Sequence, residues 1–205
     1  AGWNAQGNLQ LVLKEFPEAE ASFTHTITKW PQDGEGWMGL SVARFHQQRY
    51  FEAMAAGKRA VELDPSEPNY HFALGSAALE YALQFPNPHI HSAELNLAGL
   101  QFVRLNKIWP KNGDVFYRLG RAYSALRNRK GAEDNLRTAH ELMPRRHDVA
   151  LELAQALAAT GEHAQALSVV DRALKANGAA ATLHDMRGEL LRFRPGLHVS
   201  RLPVA

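Results

Sequence analysis

The sequence predicts an all-α solenoid made of helix–turn–helix units, and two observations support this fold class. A period of about 34 residues runs through the chain and separates Pro31 from Pro65. Within each period, small and apolar residues recur at helical spacing, as Ala132, Leu136 and Ala139 do. A period of this length predicts repeated helix pairs that stack side by side and bury a continuous core between neighbours.

The stretch 114–144 carries the fullest version of the repeated pattern. Its matching residues, in chain order, are Phe116, Leu119, Gly120, Tyr123, Ala132, Leu136, Ala139 and Pro144. This pattern resembles the tetratricopeptide repeat (TPR), in which W-x2-L-G-x2-Y is followed by A-x3-F and P. Phe116 stands at the Trp position of that pattern, and Leu136 stands at the Phe position. The resemblance implies a right-handed TPR superhelix that is closed by a C-terminal capping helix.

Counting in both directions from this stretch places a TPR array on residues 1–193. The predicted units are about 1–33, 34–67, 68–112, 113–146 and 147–180, followed by a partial unit at 181–193. The unit 68–112 is about 11 residues longer than the standard length of about 34. Residues 194–205 leave the pattern, and we expect an extended tail or linker there. Because the chain begins at Ala1 without Met, we expect it to be part of a longer protein.

The first two units each read as two helices joined by a short turn. We predict helices at about 3–14, 17–29, 35–47 and 50–63. Pro17 suits the first turn of a helix, because its missing N–H needs no partner there. Pro31 ends the second helix, because the residue before a proline disfavours the α conformation. Ala53 and Ala60 lie two turns apart on one face and allow the paired helices to approach closely.

The third unit differs because its extra residues lie at 85–91, between its two helices. We predict the first helix at about 69–84. Asn87 followed by Pro88 is a helix start signal, with Asn87 as the N-cap. Ile90 and Leu97 keep helical spacing after it. We therefore predict a second helix of about 20 residues over 88–108, which projects about 10 Å beyond its neighbours.

Units four and five match the pattern without insertions, and a last helix is predicted at about 180–193. We expect that helix to cover the hydrophobic edge of the array, as terminal repeats must. Gly7, Gly75 and Gly120 fall on first helices, and we interpret them as points of helix contact. None of them belongs to a phosphate-binding or dinucleotide-binding glycine motif.

Composition limits the environment and the partners. The chain of 205 residues has no cysteine and a net charge of +2, with 45% hydrophobic residues. The lack of cysteine excludes disulfides, thiolate metal sites and a Cys nucleophile, and it suits the cytoplasm and the periplasm equally. No apolar run approaches the ~18 residues of a membrane span, and the basic residues form no continuous stripe with aromatics. We expect a soluble protein with no membrane insertion and no nucleic-acid partner. The excess of Arg over Lys and the abundance of Ala favour a bacterial source.

Known TPR arrays bind protein segments in a concave groove lined by the first helix of each unit, and the resemblance implies the same surface here. Counting the groove positions along each unit gives one set of candidate binding residues. They are Asn4, Asn8, Met38, Val42, Phe45, Phe72, Ser76, Tyr117, Arg118, Arg121, Leu151 and Gln155. The aromatic and apolar members of this set are expected to form the floor of the groove.

Two arginines in this set allow two interpretations. Arg118 and Arg121 lie on one face of a helix and can hold one carboxylate bidentately. Their unit also carries a net positive charge. The first interpretation therefore predicts a partner segment with apolar anchors and an acidic group near unit four. The alternative is that both arginines form internal ion pairs with Asp114, Asp148 or Glu152.

Ten histidines raise the question of a metal site. His89 and His91 are a close pair, but an i, i+2 spacing on a helix points their rings apart, and no HExxH motif occurs. We expect no bound metal, no cofactor and no catalytic residue. His89 and His91 instead mark a second candidate partner surface. Deleting 85–91 is expected to leave the fold intact and to remove a partner contact.

The sequence thus favours a non-catalytic protein–protein interaction scaffold that binds a protein or peptide segment in its concave groove. An alternative hypothesis is a substrate-presenting or regulatory portion of a larger enzyme, or of an envelope or polysaccharide-export machine. A third hypothesis is self-association, in which the open edge of unit one, with Trp3 exposed, stacks on another copy.

Overall fold

The computed structural model describes residues 2–176 and 181–192. Within these ranges the chain forms eleven α-helices with short connections. In chain order they are α1 (Gly2–Val12), α2 (Phe16–Lys29), α3 (Gly34–His46), α4 (Tyr50–Leu63), α5 (Pro68–Leu83), α6 (Ser92–Ile108), α7 (Gly113–Ala125), α8 (Arg129–Leu142), α9 (His147–Ala159), α10 (His163–Ala176) and α11 (Ala181–Arg192). Among them there is no helix with the length and apolar character that crossing a membrane requires.

The helices stack along one direction in two layers. Each helix packs on the next one along the chain, and α1, α3, α5, α7 and α9 also pack on one another in that order. The odd-numbered helices therefore form one continuous layer, and side chains on its free face share a single surface. This is the solenoid arrangement that the repeat predicts.

Four turns between paired helices share one backbone feature. Lys14, Gln48, Arg127 and Gly161 all have positive φ angles, between 60° and 86°. Each of them lies just beyond the end of the first helix of its pair. A residue in the left-handed conformation reverses the chain after a helix. The turn between α5 and α6 is built differently, because the extra segment of the third unit occupies it.

The prediction of one continuous helix over 88–108 is wrong in its first turn. Pro88–His91 is a 3-10 turn, and α6 begins at Ser92 and has 17 residues. Asn87 makes no side-chain capping bond, so the expected α-helical start is missing. Since α5 has 16 residues, the additional length is shared between two helices and a turn. It does not project from one helix.

The buried core is divided along the array into three clusters. The first contains Ala19, Phe23, Leu40, Ala43 and Ala56. The second joins residues of α4, α5, α6 and α7, and the third joins residues of α8, α9, α10 and α11. Such a division is expected of a solenoid, in which each unit packs only against its neighbours.

Close helix approach explains the glycines on the first helices, as predicted. A Cβ atom at Gly7 would lie 2.7 Å from the ring of Phe23, and one at Gly120 would lie 2.6 Å from Cγ of Leu136. At Gly75 the distance to the Phe102 ring would be 3.1 Å. A Cβ atom at Gly7 or Gly120 would require Phe23 or Leu136 to move, and one at Gly75 would require a smaller shift of Phe102.

The last described helix covers the apolar edge formed by α9 and α10. Leu183, Met186 and Leu190 of α11 are buried against α9 and α10. Its remaining side chains are mainly polar and exposed, which is what a terminal helix needs. The predicted tail at 194–205 lies outside the described residues.

Candidate functional site

The free face of the odd-numbered helices contains a concave pocket of about 320 Å³ between α3 and α5. We call it the apolar pocket, and it is lined mainly by Met38, Ser41, Val42, Phe45, His46, Asn69, Phe72, Ala73, Ser76 and Arg118. Six of the predicted groove residues meet here, on three successive first helices. The counting of repeat positions brings them together, although they are up to two units apart in sequence.

Two polar side chains of the apolar pocket have unused hydrogen-bonding atoms. Ser76 is only 5% exposed, and its Oγ has no hydrogen-bond partner among the described residues. The Nε of Arg118 is also buried without such a partner. The Arg118 guanidinium lies 5.2 Å from the ring centroid of Phe72, and burial lowers its pKa. Because an unpaired buried polar atom costs free energy, a ligand that supplied a partner would be stabilised here.

Beyond Arg118, the groove holds an internal ion-pair network. Arg121 donates to Glu80 from Nη1 at 2.5 Å, and its Nε lies 3.6 Å from Glu152. Arg118 approaches the same Glu80 carboxylate at 3.8 Å. The sequence offered Asp114, Asp148 and Glu152 as internal partners of the two arginines, and Glu152 contacts Arg121. Glu80 joins both arginines across one unit boundary.

A second part of this network surrounds Tyr117. The ring centroid of Tyr117 lies 5.7 Å from the Arg121 guanidinium and 5.1 Å from that of Arg146. Arg146 in turn pairs with Asp114 at 2.6 Å and with Asp148. Burial raises the pKa of Tyr117 to about 12, and burial also raises the pKa of Glu152. The phenol is therefore neutral at physiological pH and serves as a packing surface for both cations.

The carboxylates of this network outnumber its arginines. Three arginines, Arg118, Arg121 and Arg146, face four carboxylates, those of Glu80, Asp114, Asp148 and Glu152. The centre of the groove is therefore not a cationic surface, although the sequence places several arginines in this unit.

Other predicted groove residues lie elsewhere. The Asn4 amide donates to both oxygens of Asp33, at 3.1 and 3.3 Å. Asp33 also caps α3 by accepting from the Gly36 amide at 2.8 Å. Asn4 thus joins α1 to the start of α3, and Asn8 is exposed on α1. Neither asparagine lines the apolar pocket.

The two candidates on α9 have different surroundings. Leu151 packs against the third core cluster, which joins α8, α9, α10 and α11. Gln155 lines a second concave pocket of about 360 Å³, which we call the arginine pocket. Its other lining residues are Ser124, Arg127, Arg129, Ala132, Glu152, Ala156 and Ala159.

The histidines of the second candidate surface lie on the extra segment of the third unit. His91 stacks on Phe85 with ring centroids 4.0 Å apart and meets the edge of Tyr81 at 5.6 Å. His89 is exposed. Within the part of the chain that the structure describes, no group of three or more His, Cys, Asp or Glu residues has metal-binding geometry.

Sequence reasoning missed some residues that line the groove. Ser41 and Ala73 line the apolar pocket from positions next to the counted ones. Arg127 and Arg129 come from the turn after α7 and the start of α8, whereas the counting considered first helices alone. Arg146 precedes α9 and reaches back to Asp114 of the previous unit. The repeat pattern contains no signal for such contacts.

The comparisons with known proteins agree with this architecture. A family model described as tetratricopeptide repeat matches residues 4–68 and 117–181, which is more than half of the chain. The chain therefore belongs to the tetratricopeptide repeat family. Its fold is an all-α TPR solenoid, and this family supports protein–protein interaction in general.

Solved structures with similar folds cover almost the whole chain. TTC0263, a TPR protein of Thermus thermophilus, has a TM-score of 0.68 and 20% identity, covering 93% of this chain and 98% of its own. YrrB, described as a TPR protein with an unusual peptide-binding site, has a TM-score of 0.73 and 13% identity, covering 91% and 90%. MamA from Desulfovibrio magneticus RS-1 has a TM-score of 0.71 and 14% identity, covering 87% and 95%. At these identities the likeness concerns the fold alone.

Proposed function

We propose that this protein is a non-catalytic interaction scaffold that binds an extended protein segment along the face of its odd-numbered helices. The apolar pocket receives an apolar side chain of that segment. The observation that carries this proposal is an open, mainly apolar cavity that contains two buried polar atoms, Oγ of Ser76 and Nε of Arg118, without a hydrogen-bond partner among the described residues. Concave apolar sites with a few convergent polar groups are typical binding sites.

The polar groups of the apolar pocket would orient the bound segment through hydrogen bonds. The Ser76 hydroxyl donates or accepts one hydrogen bond, and the Nε of Arg118 donates one. A backbone carbonyl of the segment, next to the anchoring side chain, would accept a hydrogen bond from one of these two donors. The carbonyl would then have the partner that a buried backbone group requires. YrrB, which has this fold, is described as having a peptide-binding site, and this supports a peptide ligand by analogy.

The test is binding of displayed peptides to the parent chain and to a variant of the apolar pocket. A library of 12-residue peptides is selected on the parent, and the enriched peptides are measured by fluorescence polarisation. The variant is Val42→Asp, because Val42 is half-buried in the pocket. We expect affinity to fall at least about tenfold, which is 1.4 kcal/mol, since a carboxylate replaces apolar contact.

Val103→Asp is the matched control. It makes the same change at an exposed valine of α6, away from the pocket. Circular dichroism verifies that both variants stay helical. Unchanged peptide affinity in Val42→Asp would contradict binding in the apolar pocket, and a selection that enriches no peptide would contradict the proposed function itself.

Self-association is a second candidate, and the exposed face of α1 favours it. Leu9 and Val12 of α1 are 58% and 79% exposed, and Leu13, which directly follows α1, is 57% exposed. Trp3 is 39% exposed at the start of the same helix. Apolar side chains grouped on one exposed face are suited to pack against a second copy. The hypothesis of a regulatory portion of a larger enzyme or export machine stays a prediction of the sequence.

A further inference from the structure

The arginine pocket differs from the centre of the groove in its charge balance. Arg127 and Arg129 are exposed and line it from the turn after α7 and the first residue of α8. Neither side chain forms an ion pair or hydrogen bond with any described residue, whereas Arg118, Arg121 and Arg146 all have carboxylate partners. Among the described residues of the groove, the unneutralised cations are therefore found at this end.

The backbone holds these two arginines in a defined place. Arg127 has a φ of 60°. Its amide donates to the Ser124 carbonyl at 3.0 Å, and the Asn128 amide donates to the Tyr123 carbonyl at 2.9 Å. Asn128 also caps α8 by accepting from the Gly131 amide at 3.0 Å. The turn is thus fixed by hydrogen bonds on both sides, and the guanidinium groups start from a rigid base.

The remaining polar groups of the pocket suit an anion. Ser124 and Gln155 are exposed and can donate hydrogen bonds. Glu152 is the carboxylate in the pocket, and it lies 3.6 Å from the Nε of Arg121. Burial also raises the pKa of Glu152, so this carboxylate is protonated more readily than an exposed glutamate.

We propose that the arginine pocket is an acidic-residue subsite of the groove, in which Arg127 and Arg129 bind a carboxylate of the partner segment whose apolar side chain fills the apolar pocket. This inference rests on the proposed function and adds the charge and the spacing of the ligand. Arginine and carboxylate pair through parallel, charge-assisted hydrogen bonds. Charge complementarity therefore selects an acidic segment over a neutral or basic one.

The geometry of the helices sets the spacing between the two anchors. The apolar pocket lies between α3 and α5, and the arginine pocket lies between α7 and α9. Neighbouring packed helices are about 8–10 Å apart, so the pockets are separated by about 16–20 Å. An extended chain advances about 3.3 Å per residue. The acidic residue therefore lies about five or six positions from the apolar anchor.

The experiment uses the peptides that the display selection enriches on the parent chain. We expect them to carry Asp or Glu five or six positions from an apolar residue. The double variant Arg127→Asn/Arg129→Gln should bind them at least about tenfold more weakly, and Asn tolerates the left-handed backbone at 127. Peptides with the acid changed to its amide should bind the parent and the double variant equally, because the pair is then already broken.

Lys130→Gln is the matched control, since it removes a neighbouring exposed charge that does not line the pocket. Its affinity should stay within about twofold of the parent. Enriched peptides that lack the acid, or that bind the double variant as tightly as the parent, overturn this inference and leave the proposed function standing. A selection that enriches nothing overturns both.

A nucleic-acid partner is the competing explanation for two arginines without a described partner. The same assay with a single-stranded dT12 oligonucleotide tests it. Binding of the oligonucleotide that the double variant loses, together with no preference for acidic peptides, would assign the pocket to phosphates and contradict the inference. Absence of oligonucleotide binding, together with loss of acidic-peptide binding, supports it.

Discussion

Single glycines set how closely the first two helix pairs approach. Phe23 is 1% exposed and lies against α1 and α3 at once. A Cβ atom at Gly39 would be 2.3 Å from its ring. A real Cβ cannot occupy that position, so the glycine is required by the packing of a neighbouring ring and not by the conformation of its own helix.

Gly39→Ala should therefore destabilise the protein although alanine favours helices. We expect a loss of about 1–3 kcal/mol in the free energy of unfolding, as for overpacked cores. Gly188→Ala in α11 is the matched control, because a Cβ there meets nothing within 4 Å. That control should gain up to about 1 kcal/mol from helix propensity. Urea denaturation measures both, and equal effects at the two sites would contradict the packing argument.

The Glu152 carboxyl is expected to make the stability of the protein depend on pH. Burial raises its pKa above 4.5, so the folded chain holds the proton more firmly than the unfolded chain does. The Glu152 contribution to stability therefore falls as pH rises from about 4.5 through the folded pKa. Relative to Glu152→Gln, the parent should gain stability when the pH is lowered through this window.

Thermal unfolding of the parent and of Glu152→Gln between pH 4 and pH 7 measures that difference. Glu189→Gln, an exposed carboxyl on α11, controls for the general loss of one negative charge. The difference in unfolding temperature between the parent and Glu152→Gln should fall as pH rises. A difference that stays constant or rises with pH would show that the contact with Arg121 affects the Glu152 pKa more than burial does.

At the scale of elements, the extra segment of the third unit lies outside the core of the helix pair α5 and α6. Ala98, Phe102 and Leu105 of α6 are fully buried in the second core cluster, whereas Phe85 and Ile90 are 37% and 71% exposed. The segment is held by ring contacts of Phe85 and His91 with each other and with Tyr81. The core of the unit does not depend on it.

Deletion of 85–91, joining Gln84 to Ser92, should keep the helical circular dichroism signal and peptide binding in the apolar pocket. The end turns of α5 and α6 can unwind to close the connection, because both helices are longer than the 13 and 14 residues of α3 and α4. A chain that no longer unfolds cooperatively would show that the segment is structural. A partner contact on this segment stays a prediction.

At the scale of the whole molecule, the first and the last described helices differ in their outer faces. The outward side chains of α11 are mainly polar, whereas Leu9 and Val12 of α1 and the following Leu13 are exposed. The apolar face of α1 and the polar outer face of α11 do not complement each other, so stacking of α1 on the α11 of a second copy is disfavoured. Pairing of two α1 faces is the arrangement that covers the apolar side chains, and such contacts form closed dimers.

We therefore expect the mass in solution to rise from monomer to dimer as the concentration increases. Val12→Ser/Leu13→Ser should shift that transition to higher concentration, because the buried apolar area is reduced. Leu100→Ser is the control, since Leu100 is 66% exposed on α6. Analytical ultracentrifugation measures all three proteins. A monomer mass that does not change with concentration would exclude this pairing.

The sequence alone determined the helix pairs and most of the apolar pocket. A repeat fixes which face of each first helix is free, because small residues mark the buried face at regular spacing. Met38, Val42, Phe45, Phe72 and Ser76 were therefore placed by counting. The conformation of the segment before α6 could not be predicted in this way. An N-cap signal indicates where a helix starts, but it does not indicate whether the first turn is α or 3-10.

Only the tertiary structure decided the charge of the groove. Arg121 and Glu80 are 41 residues apart, and Arg146 meets Asp114 across a unit boundary. Whether such side chains pair depends on how neighbouring units are rotated against each other, and a repeat pattern does not encode that rotation at the level of single side chains. Arg127 and Arg129 of the arginine pocket have no ion-pair partner among the described residues, because no described carboxylate lies close enough to them.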